Sequence, residues 1–140
     1  MLIKLNTAGS KYTKRAVLLY KIMLKKQFRL KNKSAFAATY RIKNSFHKGG
    51  VTLFAGIKKK DDAIPTRAGF VVSKKTHKRA VRRNRLKRLM RESYRLLLKS
   101  GETAKSQQYL SLIFVGGENA LDKNFAEMQN IIRKLLERLQ

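Results

Sequence analysis

Residues 74–99 contain neither proline nor glycine, and good helix formers (Arg, Leu, Lys, Met, Glu) fill the centre of this stretch. Leu86, Leu89, Met90 and Leu97 recur at i, i+3, i+4 and i+11, which places them on one helical stripe. Asn84, Arg88, Arg91 and Arg95, at i, i+4, i+7 and i+11, form a second helical row that starts two residues earlier and so lies ~160° around the helix. One face must enter a core; the other is a ladder of cations. The fold therefore has to bury one side of a long basic helix and leave the opposite side to solvent or a partner.

Charge narrows the partner. The chain has 140 residues, with 34 Lys and Arg against 8 Asp and Glu, for a formal charge of +26. That length supports a single domain with one modest core. Residues 1–60 hold sixteen bases and no acid, whereas residues 101–140 hold five of each. A surface that is merely solubilising mixes both signs. The partner is thus expected to be a polyanion, nucleic acid first, and its surface to lie before residue 101. The absence of cysteine rules out a disulfide scaffold and a thiolate metal site, and agrees with a cytoplasmic location. The longest apolar stretch, residues 16–24, is interrupted by Lys21 and falls short of the ~20 residues a spanning helix needs. Lys25-Lys26 follow it with no small-residue cleavage pattern, so it reads neither as a membrane anchor nor as a signal peptide.

Along the chain, residues 1–27 read as a basic N-terminal extension and residues 28–140 as a single domain. Asn32 or Ser34 caps a short helix on which Phe36 and Tyr40 share a face at i, i+4. Lys48-Gly49-Gly50 marks a turn. Val51, Leu53, Ala55 and Ile57 then alternate with Thr52, Phe54 and Gly56, the period of a strand with one buried face. A polar connection over residues 58–66 leads to a second strand at 68–73, read as the hairpin partner of the first. Gly101 ends the basic helix, residues 109–115 form a further strand, and Gly116-Gly117 bound it. Asp122 or Asn124 caps a last helix carrying Phe125, Met128, Ile132, Leu135 and Leu139 on one stripe. Helix, strands, helix, strand, helix is an α+β arrangement of a small sheet and packed helices.

Chain-borne catalysis finds no support. His47 and His77 are the only histidines, and neither has a partner at metal-ligand spacing. Asp61-Asp62 sits in a lysine-rich loop, where adjacent carboxylates compensate charge; two-metal chemistry needs more oxygen ligands than eight scattered acids supply. No catalytic residues and no metal ligands are assigned.

Binding chemistry is present instead. Arg, Lys and Asn on an exposed helix face neutralise phosphates and donate hydrogen bonds to them, and aromatic rings stack on unpaired bases. Phe36, Tyr40 and Phe54 are candidates for such a platform, although aromatics at helical spacing are more often core.

Ser73-Lys74-Lys75, leading into Ala80-Val81-Arg82-Arg83-Asn84-Arg85-Leu86-Lys87-Arg88-Leu89-Met90-Arg91-Glu92, closely resembles the signature of the bacterial ribonuclease P protein component, centred on its Arg-Asn-Arg element. The likeness extends from Arg29-Leu30 through Phe36, Tyr40 and Phe70-Val71-Val72-Ser73 to the last helix. It implies a ribosomal protein S5 domain 2-like fold, α-β-β-β-α-β-α, with a left-handed βαβ crossover where the general rule is right-handed. It also implies a protein subunit that assists a catalytic RNA in removing the 5′ leader of precursor tRNA, with Mg²⁺ held by the RNA. Lys74, Lys75, Arg82, Arg83, Asn84, Arg85, Lys87, Arg88, Arg91 and Arg95 would contact the catalytic RNA. Phe36, Tyr40, Phe54, Asn84 and Lys87 would line the leader site. Two departures stand out. Residues 1–22 precede the usual family start, with Met23 as an alternative initiator, and His77-Lys78-Arg79 replaces a smaller turn. A structural ribosomal RNA-binding protein would share the size and basicity but would not need the Arg-Asn-Arg signature.

Overall fold

A computed structural model describes residues 24–102 and 105–139. The elements in chain order are α1 (Lys33–Ile42), β1 (Asn44–Lys48), β2 (Val51–Ala55), β3 (Arg67–Val71), α2 (Ala80–Ser100), β4 (Ser111–Gly116) and α3 (Phe125–Glu137). The strands form one sheet in the order β1-β2-β4-β3. β1–β2 and β2–β4 are antiparallel, while β3–β4 is parallel and is joined through α2. Among the described residues, three α-helices on a four-stranded mixed sheet make this an α+β fold, as the sequence reading required.

Local chemistry sets the boundaries. The Asn32 side chain accepts from the Ser34 amide at 3.0 Å and starts α1. Asn124 and Glu127 exchange side-chain and backbone bonds at 2.8 and 3.0 Å in a capping box that starts α3. Gly101, at φ 81°, closes α2 in the left-handed conformation. α2 begins at Ala80 rather than near Lys74, because the Thr76 amide first bonds back to the Ser73 carbonyl at 3.0 Å in a turn.

Strand pairing departs from expectation. The hairpin partner of β2 is β1, with Lys48 paired to Val51 across the two-residue loop Gly49-Gly50. Both glycines have positive φ, 58° and 86°, as a tight antiparallel hairpin demands. A Cβ on Gly49 would fall 2.5 Å from the Ile131 Cδ1, and one on Gly50 would fall 2.6 Å from the Ala120 amide nitrogen, so the turn is also wedged beneath neighbouring elements. β3 instead lies parallel to β4 at the far edge. Ile57 lies beyond the end of β2 and is 52% exposed, not the next buried position of the alternation.

Alternation sorts the two sheet faces. Leu53, Ala55, Leu112 and Phe114 join Leu86, Met90 and Leu97 of α2 and Met128, Ile132 and Leu135 of α3 in the core. Tyr94 belongs to the same cluster and, fully buried, packs its ring 5.5 Å from Phe114 and 6.0 Å from Phe70. Leu89 is only partly buried at the margin of this stripe, and Phe125, expected on the apolar stripe of α3, is 38% exposed in its first turn. On the opposite face, Phe54, Ile113 and Gly69 are neighbours in register and meet α1.

Of the extension, residues 1–23, including the alternative initiator Met23, lie outside the described residues. Leu24 is buried in the core. The segment that follows runs beside β3: the Leu30 amide donates to the Ala68 carbonyl at 2.9 Å, and Arg29 Nε reaches back to the Leu24 carbonyl at 2.6 Å. It thereby covers an edge that would otherwise present unpaired backbone groups.

Candidate nucleic-acid interface

The cationic ladder divides into two sets. Arg82 pairs with Asp122 at 2.8 Å. Arg83 donates to the carbonyls of His77 and Lys78 at 2.9 and 2.8 Å, and Arg85 donates to those of Leu121 and Lys123 at 3.0 and 3.4 Å. Arg95 lies on Glu92 through two bonds of 3.0 and 2.5 Å, a fork that holds its guanidinium above its ordinary pKa. These four arginines tie the basic helix to its entry loop, to the loop before α3 and to itself. The arginines of the Arg-Asn-Arg element are thus already engaged within the chain, through carbonyls that spacing could not reveal. The entry loop also uses its unusual residue: His77 Nδ1 accepts from the Arg79 amide at 3.0 Å.

The second set is open. Asn84, Lys87, Arg88 and Arg91 line a concavity of about 310 Å³, and none of its lining residues is acidic. Arg91 lies 5.8 Å over the Phe70 ring. Burial there, and then the like charges of Arg29 and Arg88, push its guanidinium below its ordinary pKa. A cluster of cations that repel one another is relieved by an anion, and a phosphate is the anion that guanidinium and amide donors suit best. Lys74 and Lys75 are exposed in the loop before α2.

The aromatic candidates sit on the other sheet face. Tyr40 and Phe54 meet edge to face, centroids 4.9 Å apart at 80°. Tyr40 is 36% exposed, and partial burial raises its hydroxyl pKa. Phe36 is turned inward onto Gly69, where its ring occupies the space a Cβ would take. Asn84 and Lys87 line the concavity on α2, among whose walls none of the three aromatics appears. The structure thus brings Tyr40 and Phe54 together, and Asn84 and Lys87 together, as two separate surfaces.

Acidic groups are mostly engaged. Glu92, Asp122 and Glu102 pair with Arg95, Arg82 and Arg133, Glu127 caps α3, and Asp61 accepts from the Ala63 amide at 2.9 Å. Among the described residues no three His, Asp or Glu side chains gather to hold a metal ion. Nor is any described helix long and apolar enough to cross a membrane.

A small α+β domain with one cationic helix face left open is the class this fold and surface define. A sequence profile of the Ribonuclease P family matches residues 24–140, and the chain belongs to the ribonuclease P protein component family. The protein component of Clostridium kluyveri is 31% identical over 111 residues, which cover 79% of this chain and 93% of that one. That of Symbiobacterium thermophilum is 33% identical over 115 residues, covering 82% and 93%. Among solved structures, the RNase P protein from Thermotoga maritima superposes with a TM-score of 0.66 at 22% identity, covering 80% of this chain and 97% of that one. This last likeness is one of fold.

Proposed function

We propose that the chain binds the catalytic RNA of a ribonuclease P ribonucleoprotein through the open face of α2, and holds the 5′ leader of precursor tRNA against Tyr40 and Phe54. The concavity formed by Asn84, Lys87, Arg88 and Arg91 carries this reading, because it gathers cations around an acid-free space with their donors unengaged by acids. Phosphate contacts of this kind fix position without reading sequence, as a subunit bound to one structured RNA requires. The half-exposed Tyr40 ring and the Phe54 ring beside it offer an unpaired base a stacking surface. Hydrolysis and its Mg²⁺ are assigned to the RNA, since the eight carboxylates of this chain are scattered and three of them are paired with its own cations. The protein contributes charge neutralisation and a leader groove.

Reconstitution tests the reading. Nuclease-free protein alone should leave precursor tRNA intact at low Mg²⁺, and adding the catalytic RNA should restore cleavage at the mature 5′ end. Specific 5′ maturation by the protein alone overturns the assignment of catalysis to RNA. Sequencing the RNA that co-purifies with the protein tests the partner: ribosomal RNA in place of the catalytic RNA would point to a structural ribosomal role.

A further inference from the structure

Between α1 and the end of the sheet where β2 stops and β4 begins lies a groove of about 390 Å³ whose walls include neither Tyr40 nor Phe54. Seven large hydrophobic side chains are exposed among the described residues, and four of them (Ile42, Ile57, Ile64 and Leu110) line this one groove at 38–52% exposure. Single exposed aliphatic residues need no explanation, but four in one concavity mark a surface that something covers.

The chemistry of the walls selects the occupant. The groove hydroxyls are already committed: Thr39 Oγ1 donates to the Ala35 carbonyl at 2.8 Å and meets Ser111 Oγ at 2.5 Å. A nucleobase seated among the four aliphatic side chains would lose water from its polar edge, with only Arg41 and Arg67 on the groove to replace it. Arg41 and Arg67 stand on the groove, exposed and without an ion pair among the described residues, and no acid lines it. The occupant must therefore bring negative charge together with aliphatic side chains. A second copy of this +26 chain has the wrong sign, and so do residues 1–23 of the same chain, with five bases and no acid.

We infer that this groove docks an acidic amphipathic segment of a partner protein, its aliphatic side chains against Ile42, Ile57, Ile64 and Leu110 and its carboxylates on Arg41 and Arg67. This site is separate from both RNA-facing surfaces and does not depend on their assignment. It gives the subunit a protein-facing side while its cationic helix remains free for RNA.

The test uses the full chain labelled at its isoleucine methyl groups and three probes of equal charge. These are a short peptide of alternating Glu-Asp and Leu-Ile pairs, the same peptide with serine replacing Leu and Ile, and an oligouridylate. The aliphatic peptide should shift the Ile42, Ile57 and Ile64 methyls and bind at least about tenfold more tightly than the serine peptide, the equivalent of one aliphatic side chain buried. Ile57→Ser, at an exposed position that leaves the core intact, should weaken that binding about tenfold. Arg41→Glu with Arg67→Glu should abolish the groove shifts that the aliphatic peptide causes. Equal binding of the serine peptide, oligouridylate shifting the groove methyls more strongly than the peptide, or no groove shifts at millimolar peptide would each overturn the inference.

Discussion

The guanidinium of Arg91 sits 5.8 Å over the ring of Phe70, which is itself stacked on Phe114 at 5.3 Å and 7°. A nominally surface cation is thereby attached to the aromatic centre of the core. Arg88, one turn earlier, bonds only to the Asn84 carbonyl of its own helix, at 3.4 Å. Two neighbouring arginines on one helix face thus carry different structural commitments, although their spacing makes them look equivalent.

Their substitutions should separate accordingly. Arg88→Ala should lower the slope of log K against log salt for binding the catalytic RNA by about 0.7 to 0.9, one phosphate contact, and leave stability within about 0.5 kcal/mol. Arg91→Ala should lower the slope by a similar amount and also lose about 0.5–1 kcal/mol of stability with its ring contact. Salt-dependent anisotropy and urea denaturation measure both. If Arg91→Ala left the salt slope intact and only destabilised the fold, the open face of α2 would be misassigned.

Arg85→Ala should behave in the opposite way. Its guanidinium bridges α2 to the carbonyls of Leu121 and Lys123 in the loop before α3, so its loss should cost about 1 kcal/mol of folding stability. The salt slope of RNA binding should stay near that of the wild type. A slope reduced as much as in Arg88→Ala, with no loss of stability, would return Arg85 to the RNA-contacting set.

Tyr94 predicts an alkaline weakness. Burial raises its hydroxyl pKa, and hydrogen bonds from Gln107 and Ser106 bring it only partly back. The unfolded chain, with its tyrosine pKa near 10, releases that proton first. Stability from this group is therefore fully present below about pH 10 and falls as pH rises above it. In Tyr94→Phe the urea midpoint should drop less between pH 9 and pH 11 than in the wild type, from a neutral value lowered by about 1 kcal/mol for the lost Gln107 bond. Parallel decline of the two proteins would remove Tyr94 as a source.

Periodicity carried the helices and β2 because their burial repeats: Leu86, Met90 and Leu97 face one core, and Val51, Leu53 and Ala55 face it from the sheet. β1 was illegible for the converse reason. Its residues Asn44 to Lys48 form an edge strand with no buried position, so no alternation was written into them, and β2 was matched to the wrong partner. The capping asparagines and Gly101 were readable because their partners lie within a few residues. The tethers of Arg82 and Arg85 were not, since those partners lie 36 to 40 residues away and two of the three are backbone carbonyls that any sequence supplies. Phe36 and Tyr40 were correctly put on one helix face, but only the absent side chain of Gly69 explains why Phe36 turns inward while Tyr40 stays at the surface.

That difference makes Tyr40 the sharper probe of the leader site. Its ring is 36% exposed and rests edge-on against Phe54, so truncation removes a surface contact rather than opening a core cavity. Tyr40→Ala should shift the melting temperature by only a few degrees, as a stability change of about 1 kcal/mol does in a domain of this size. Binding of precursor tRNA with a leader of several nucleotides to the reconstituted holoenzyme should weaken by about 1–3 kcal/mol, the worth of one base–aromatic stack. Mature tRNA, which has no leader, should bind both proteins equally. Phe36→Ala, by contrast, removes a ring packed on Gly69 and should cost several kcal/mol of stability, as large-to-small changes at packed positions do. If Tyr40→Ala lost stability on that larger scale, or weakened mature tRNA as much as precursor, the ring would be a packing element. Leader binding would then rest on the basic residues alone.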